Sequence, residues 1–119
     1  MVSVYVCGWY RGPKGDAASP EEIAANVEVA TAVGCVLSEA GFAPLVPHIA
    51  SIGIAERTHL SSEYWLSATM AWMLGCSCVV VISRGTEGCE GEIARAIEEG
   101  IPVFYSVDEF MTAYGEEGF

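Results

Sequence analysis

Basic residues are scarce in this chain. Five Lys and Arg, of which Lys14 is the one lysine, stand against sixteen Asp and Glu, giving a formal net charge of −11. A surface for duplex DNA, RNA or anionic lipid needs a basic stripe to neutralise phosphates, so nucleic acid and membrane are excluded as expected partners. Long apolar runs are missing as well: none is longer than five residues, where a membrane-spanning helix needs about 20. Paired-cysteine spacing is absent too. The five cysteines are an odd number, and Cys76 and Cys78 are separated by one residue, not by the two of common zinc and redox motifs. No metal site and no cofactor are expected, and the cysteines read as small core residues. The opening MVSVYVCGWY has neither a basic leader nor a cleavage signal, so the expected location is cytoplasmic.

What is present is a soluble, core-forming composition. Hydrophobic residues make up 52% of 119 residues, enough for one compact domain spanning residues 1–119. No repeat or long linker divides it. Val2–Cys7 is a short β-rich run ended by Gly8. A loop rich in Gly, Pro and charge follows, up to Ser19-Pro20-Glu21-Glu22. That tetrad is a helix start, with Ser as cap, Pro in the first position and acids in the first turn. The helix runs to about Ala40, with Ile23, Val27, Ala30, Val33 and Leu37 on one face at three- and four-residue steps. Phe42–Val46 is a second strand, and residues 48–60 are a loop with room for a short helix. Ser61 or Ser62 caps a second main helix through Leu74, whose apolar face is Trp65, Ala68, Trp72 and Met73. Cys78–Ile82 (CVVVI) is the continuous β-branched run of a central parallel strand. Gly88–Glu99 is a third helix with Ile93, Ala96 and Ile97 inward, Ile101–Tyr105 a fourth strand, and Val107–Tyr114 a last helix. Strict β–α alternation predicts an α/β, flavodoxin- or Rossmann-like three-layer sandwich with a parallel sheet of 4–5 strands.

Such sheets bind ligands at the carboxyl ends of their strands. Three of the five basic residues fall in those loops: Arg11 and Lys14 after strand 1 and Arg84 after strand 3. Arg11 lies in Gly8-Trp9-Tyr10-Arg11-Gly12, where glycines permit close backbone approach and an Arg fork suits phosphate. The third helix aims its N-terminus at the same edge, as anion sites do. The pattern points to a small anionic ligand such as a nucleotide; exposed loops in any protein also attract basic residues. Trp9 and Tyr10 serve either to stack on a base or sugar or as an apolar lid. His48, after strand 2, is either a ligand contact or acid–base group or a structural histidine. Glu87, Glu90 and Glu92 occupy the start of the third helix. Acids there complement the helix dipole, and Glu92 with Arg95 has the spacing of a surface pair. Glu92 is also adjacent to the inward residue Ile93, which suits a nucleophile facing a cavity. Spacing does not choose between Glu90 and Glu92.

Taken in order, these residues give the chain a family look. It resembles the nucleoside 2-deoxyribosyltransferase-like superfamily, in particular its small phage and bacterial members, and is similar to the deoxynucleoside 5′-monophosphate N-glycosidases. The residues that carry the likeness are Gly8-Trp9-Tyr10-Arg11-Gly12, Asn26 and Ala30, Gly41, Pro47-His48, and Trp72 before CVVVI. Thr86-x-Gly88-x-x-x-Glu92 then follows, with Ala96 and Gly100-Ile101-Pro102-Val103. The family pattern there is Ser-x-Gly-x-x-x-Glu before a helix.

The resemblance implies a five-stranded parallel sheet and a homodimer or higher homo-oligomer. It implies that Glu92 attacks the anomeric carbon of a deoxyribonucleoside or its 5′-monophosphate, expels the base and forms a glycosyl-enzyme ester. Arg11, neighbouring backbone groups and Thr86 would hold phosphate, and Trp9 or Tyr10 the sugar and base. Gly12, Gly88, His48 and Arg84 complete the expected substrate-binding set. Two positions depart from the pattern: Ser77 and Thr69 stand where many relatives carry Asp. Glu63, Glu90 and Asp16 are candidate substitutes. The alternative function is a non-catalytic nucleotide-binding or sensor module on the same fold. A third reading, a phosphoribohydrolase, rests on the similarity of RGTEG to a Gly-Gly-x-Gly-Thr loop.

Overall fold

A computed structural model describes residues 1–115; the sequence suggests an exposed tail at Phe119, which lies outside them. The chain runs β1 (Ser3–Cys7), α1 (Pro20–Glu39), β2 (Ala43–Leu45), α2 (Pro47–Ala50), α3 (Ile52–Arg57), α4 (Ser62–Leu74), β3 (Cys78–Val81), α5 (Glu87–Glu98), β4 (Val103–Phe104) and α6 (Val107–Tyr114). The four strands form one parallel sheet in the order β2-β1-β3-β4. The resemblance implied five strands; the described residues form four.

Side-chain alternation along β1 and β3 builds the two cores. Val4, Val6, Cys78 and Val80 point to one face, where they pack with Ala30 and Leu37 of α1 and Phe110 of α6. Tyr5, Cys7, Val79 and Val81 point to the other, against Met73 of α4 and Cys89, Ile93 and Ala96 of α5. The result is the three-layer α/β sandwich that the β–α alternation predicts. Both central strands are buried on both faces, as their β-branched composition requires. Each main helix starts on a side-chain cap: Ser19 accepts from the Glu22 N–H, Ser61 from Tyr64, Thr86 from Cys89 and Ser106 from Glu109, satisfying donors that have no partner within the helix.

Several expectations are corrected. The edge strands are shorter than Phe42–Val46 and Ile101–Tyr105. Each pairs on one side only, and Pro44 within β2 and Pro102 before β4 lack an N–H for the ladder. Residues 48–60 are largely helical, forming most of α2 and all of α3. Ile97 is 59% exposed, because Ile93 and Ala96 already fill the inward stripe of α5. No helix among the described residues is long and apolar enough to cross a membrane.

Candidate active site

The strand order reverses between β1 and β3, and the carboxyl ends of these neighbours open the crevice where such sheets bind ligands. Gly8 leaves β1 at this point. A Cβ there would sit 2.5 Å from Ile82 Cγ1, so the close approach of the two strand ends requires glycine. Two bonds fix the following loop: Trp9 Nε1 donates to the Arg84 carbonyl across the crevice at 3.0 Å, and Asn26 Nδ2 of α1 donates to the Tyr10 carbonyl at 3.0 Å. Gly12 turns the chain at φ +79°, a conformation that favours glycine.

Above the crevice lies a cavity of about 580 Å³. The β1 loop contributes Gly8, Trp9, Tyr10, Arg11 and Gly12, and α5 contributes Glu87, Gly88, Cys89 and Glu92 under the Thr86 cap. Tyr5 and Thr69 also line it, with His48 of α2. The structure therefore gathers Glu92 and every expected substrate-binding residue except Arg84.

Glu92 sits deep in this cavity. The Tyr5 hydroxyl donates to its Oε2 at 2.5 Å; the nearby Cys7 thiol donates to the Cys89 carbonyl at 3.9 Å and the Thr69 hydroxyl to the Leu66 carbonyl at 3.3 Å. Burial raises the Glu92 carboxyl above the usual range, and the Tyr5 donor, with the polar Cys7 and Thr69 side chains nearby, opposes that rise. Tyr5 is fully buried, and its hydroxyl is pushed strongly upward by burial and then by the Glu92 charge. The phenol thus stays protonated and holds a carboxylate that has few other reasons to be ionised. Beneath it, Cys7 and Cys89 are buried side by side. Beyond the bond from the Cys7 thiol to the Cys89 carbonyl, the contact between the two side chains drives the Cys7 thiol up and the Cys89 thiol down.

Glu90 and Glu92 separate cleanly. Glu90 accepts both arms of the Arg84 guanidinium, at 3.0 and 2.9 Å, and the Gly85 N–H at 3.0 Å. Arg84, and then that N–H, hold its carboxyl down at about 2. Arg84 in turn lies 5.0 Å over the Tyr105 ring. Both its side chain and Glu90 lie outside the cavity, so Arg84, expected among the substrate-binding residues, is not part of the cavity lining. The expected pairing of Glu92 with Arg95 is replaced by Arg95 with Glu99 at 3.0 Å.

The other two basic residues of the binding edge also have acidic neighbours. Arg11 reaches Asp16 at 2.6 Å, and Lys14 reaches Glu22 at 3.1 Å. Both pairs are solvent-exposed and exchangeable for a ligand anion at little cost. Thr86 Oγ1 accepts the Cys89 N–H at 3.2 Å, a bond that does not use its own hydroxyl proton. Ser77, the first of the two departures, lies at the opposite end of β3, bonded to Ser3, and has no bearing on the cavity. Thr69, the second, faces it. Among the described residues no group of His, Cys, Asp and Glu is arranged to hold a metal ion.

Residues 2–106 match the model of a family described as Domain of unknown function (DUF7768). The chain belongs to this family. The DUF7768 match spans all four strands and every cavity residue, and stops before α6. No curated protein and no solved structure matches the chain. Sequence reading missed the wall of this DUF7768 site formed by Ser51, Ala55, Leu60, Trp65 and Leu66. It also missed Tyr5, whose signal is a phenol inside an otherwise apolar strand: a buried Tyr hydroxyl needs a partner.

Proposed function

We propose that this DUF7768 domain is an N-glycosidase or deoxyribosyltransferase that cleaves the glycosidic bond of a (deoxy)nucleoside or its 5′-monophosphate. The observation that carries the reading is the Tyr5–Glu92 hydrogen bond at the floor of a cavity rimmed by Trp9, Tyr10, Arg11 and Thr86. A half-buried carboxylate fixed by a phenol is set to attack an anomeric carbon. The step forms the Glu92–C1′ ester bond and breaks the C1′–N bond, whose electron pair leaves with the base. Water or a second base then resolves the ester, in the manner of retaining glycosidases. Arg11 and Thr86 are suited to a 5′-phosphate, and Trp9 or Tyr10 to the flat faces of sugar and base.

The test is base release, resolved by chromatography, from a panel of ribo- and deoxyribonucleosides and their 5′-monophosphates, with and without an added second base. Release from one class of compound supports the reading and names the substrate. If no compound is cleaved while nucleotides raise the melting temperature, the second reading holds: a nucleotide-binding module. Thr69, in a position facing Glu92 where relatives carry an acid, favours that alternative.

Tyr5→Phe is expected to lower kcat by roughly 10–100-fold through loss of carboxylate orientation. The phenol holds the Glu92 carboxyl down, so its removal raises that group further and shifts the acid limb of kcat/KM to higher pH. An unchanged limb in the variant would show that the limb does not report Glu92.

Self-association belongs to the same reading. α4 is apolar around its circumference, yet Met73 is its one buried residue, whereas all-apolar helices are normally enclosed. Its first turn carries Glu63 and no other residue of the helix is charged, so two acidic copies can meet there without opposing carboxylates. Sedimentation is expected to give a multiple of the 12.6 kDa chain mass, and Leu74→Glu, on the exposed face and outside the cavity, to return the monomer. A monomeric native chain at micromolar concentration removes this part of the reading.

A further inference from the structure

Glu90 and Arg84 stand at the binding edge, and neither lines the cavity. What they hold is one peptide group. The N–H of the Arg84–Gly85 peptide donates to Glu90 Oε2 at 3.0 Å, and the carbonyl of the same peptide accepts the Trp9 Nε1 proton at 3.0 Å. No peptide bond among the described residues is cis. In a planar trans unit the N–H and C=O point in opposite directions, here one toward α5 and one across the crevice. Glu90 is anchored at its own end, where its backbone N–H donates to the Thr86 carbonyl at 2.9 Å in the first turn of α5. Arg84 Nε and Nη2 then fork onto the Glu90 carboxylate, and the guanidinium rests over Tyr105, after β4. Gly85 makes the turn at φ +92°, a region that favours glycine.

An exposed ion pair contributes little to stability, and the side chains of this pair are half-exposed. Its geometry is the informative part. A bidentate fork together with a backbone N–H leaves the carboxylate one orientation. A charged acceptor on the N–H also polarises the peptide, which strengthens its carbonyl as an acceptor for the indole. At the far end of this chain Trp9 lines the cavity and packs against the core that holds Tyr5 and Cys7. We infer that Glu90 is a positioning residue for Trp9, acting through the Arg84–Gly85 peptide. It sets the indole on the cavity wall without touching a ligand. That the wall receives a nucleoside rests on the glycosidase reading above; the link from Glu90 to Trp9 does not.

The first test needs no ligand. The chain has three tryptophans, and Trp9→Phe identifies the Trp9 indole signal in a proton–nitrogen spectrum of the full chain. In Glu90→Ala that indole proton is expected to exchange with water about threefold faster or more. The backbone amide of Ile93, on the buried face of α5, is expected to keep its native protection. Unchanged indole exchange overturns the inference. Lost protection at Ile93 overturns it as well, because Glu90 would then be a general support of the helix.

The second test asks whether the two residues act as one. With the substrate that the base-release panel identifies, Glu90→Ala and Trp9→Phe are each expected to raise KM by about threefold to tenfold and to leave kcat within about twofold. The acid limb of kcat/KM should stay in place, since Tyr5 and not this loop holds Glu92. The double variant is expected to raise KM no further than the worse single variant, because both substitutions break the same chain. Effects that multiply in the double variant overturn the inference. Absence of cleavage in every compound ends the glycosidase reading, and the indole exchange still decides this one. Unchanged indole exchange alongside base release does the reverse.

Discussion

Glu92→Gln is expected to reduce base release by on the order of 10⁴-fold or more while leaving the protein folded. The amide matches the carboxylate in shape, and its oxygen can still accept the Tyr5 hydroxyl, but it cannot form the glycosyl ester. The same variant is expected to be more stable at neutral pH. Burial raises the Glu92 carboxyl in the folded protein, so as pH rises through the ordinary Glu range the unfolded chain ionises first. Stability therefore falls with rising pH across the window from the ordinary value to the raised one, and the loss persists above it. Gln removes that loss, so the variant's melting temperature should exceed the native one by roughly a few degrees at neutral pH, with the gap closing below the ordinary Glu range. Equal base release by variant and native protein would show that Glu92 is not the nucleophile. A less stable variant at neutral pH would show that the carboxylate serves the fold.

Phe110→Ala is expected to cost about 3–5 kcal/mol of stability. Phe110 is fully buried in α6 and meets three aromatic rings: Phe42 at 4.8 Å, Phe104 at 5.6 Å and Tyr114 at 5.0 Å. Domains of this size hold about 5–15 kcal/mol in total, so about a fifth or more of the stability depends on a helix that lies beyond the matched family region. Urea unfolding should show a lower midpoint with an unchanged slope. α6 packs on the sheet face opposite Tyr5 and Glu92, so ligand affinity should be retained where the variant remains folded. A loss below about 1 kcal/mol would mean that the aromatic cluster closes over the gap.

The parts of this molecule that were legible in the sequence are those where local chemistry and tertiary packing agree. Ser19-Pro20 begins α1 as its cap residues dictate, and CVVVI occupies the centre of the sheet because no polar residue interrupts it. β2 and β4 were overextended because apolar content does not reveal that an edge strand pairs on one side. Ile97 was misplaced because periodicity marks a stripe without saying how wide the stripe is.

In the site, the Gly8–Gly12 loop, His48, Thr86, Gly88 and Glu92 were legible, since a parallel sheet sends successive βα loops to one edge. Spacing left Glu90 and Glu92 unresolved because both fall near the same helix start. What separates them is three-dimensional: Arg84 and the Gly85 N–H hold Glu90 outside, and Tyr5 holds Glu92 inside. Arg84 lies outside the cavity lining for the same reason, its cation being paired with a neighbour six positions along the chain.

The measurement that tests the central claim most directly is mass spectrometry of the protein quenched during turnover with the substrate that the base-release panel identifies. The account predicts a deoxyribosyl adduct on the native chain, mapped by peptide fragmentation to Glu92 and missing from Glu92→Gln. Turnover with no adduct on Glu92, or with an adduct on another residue, would contradict it.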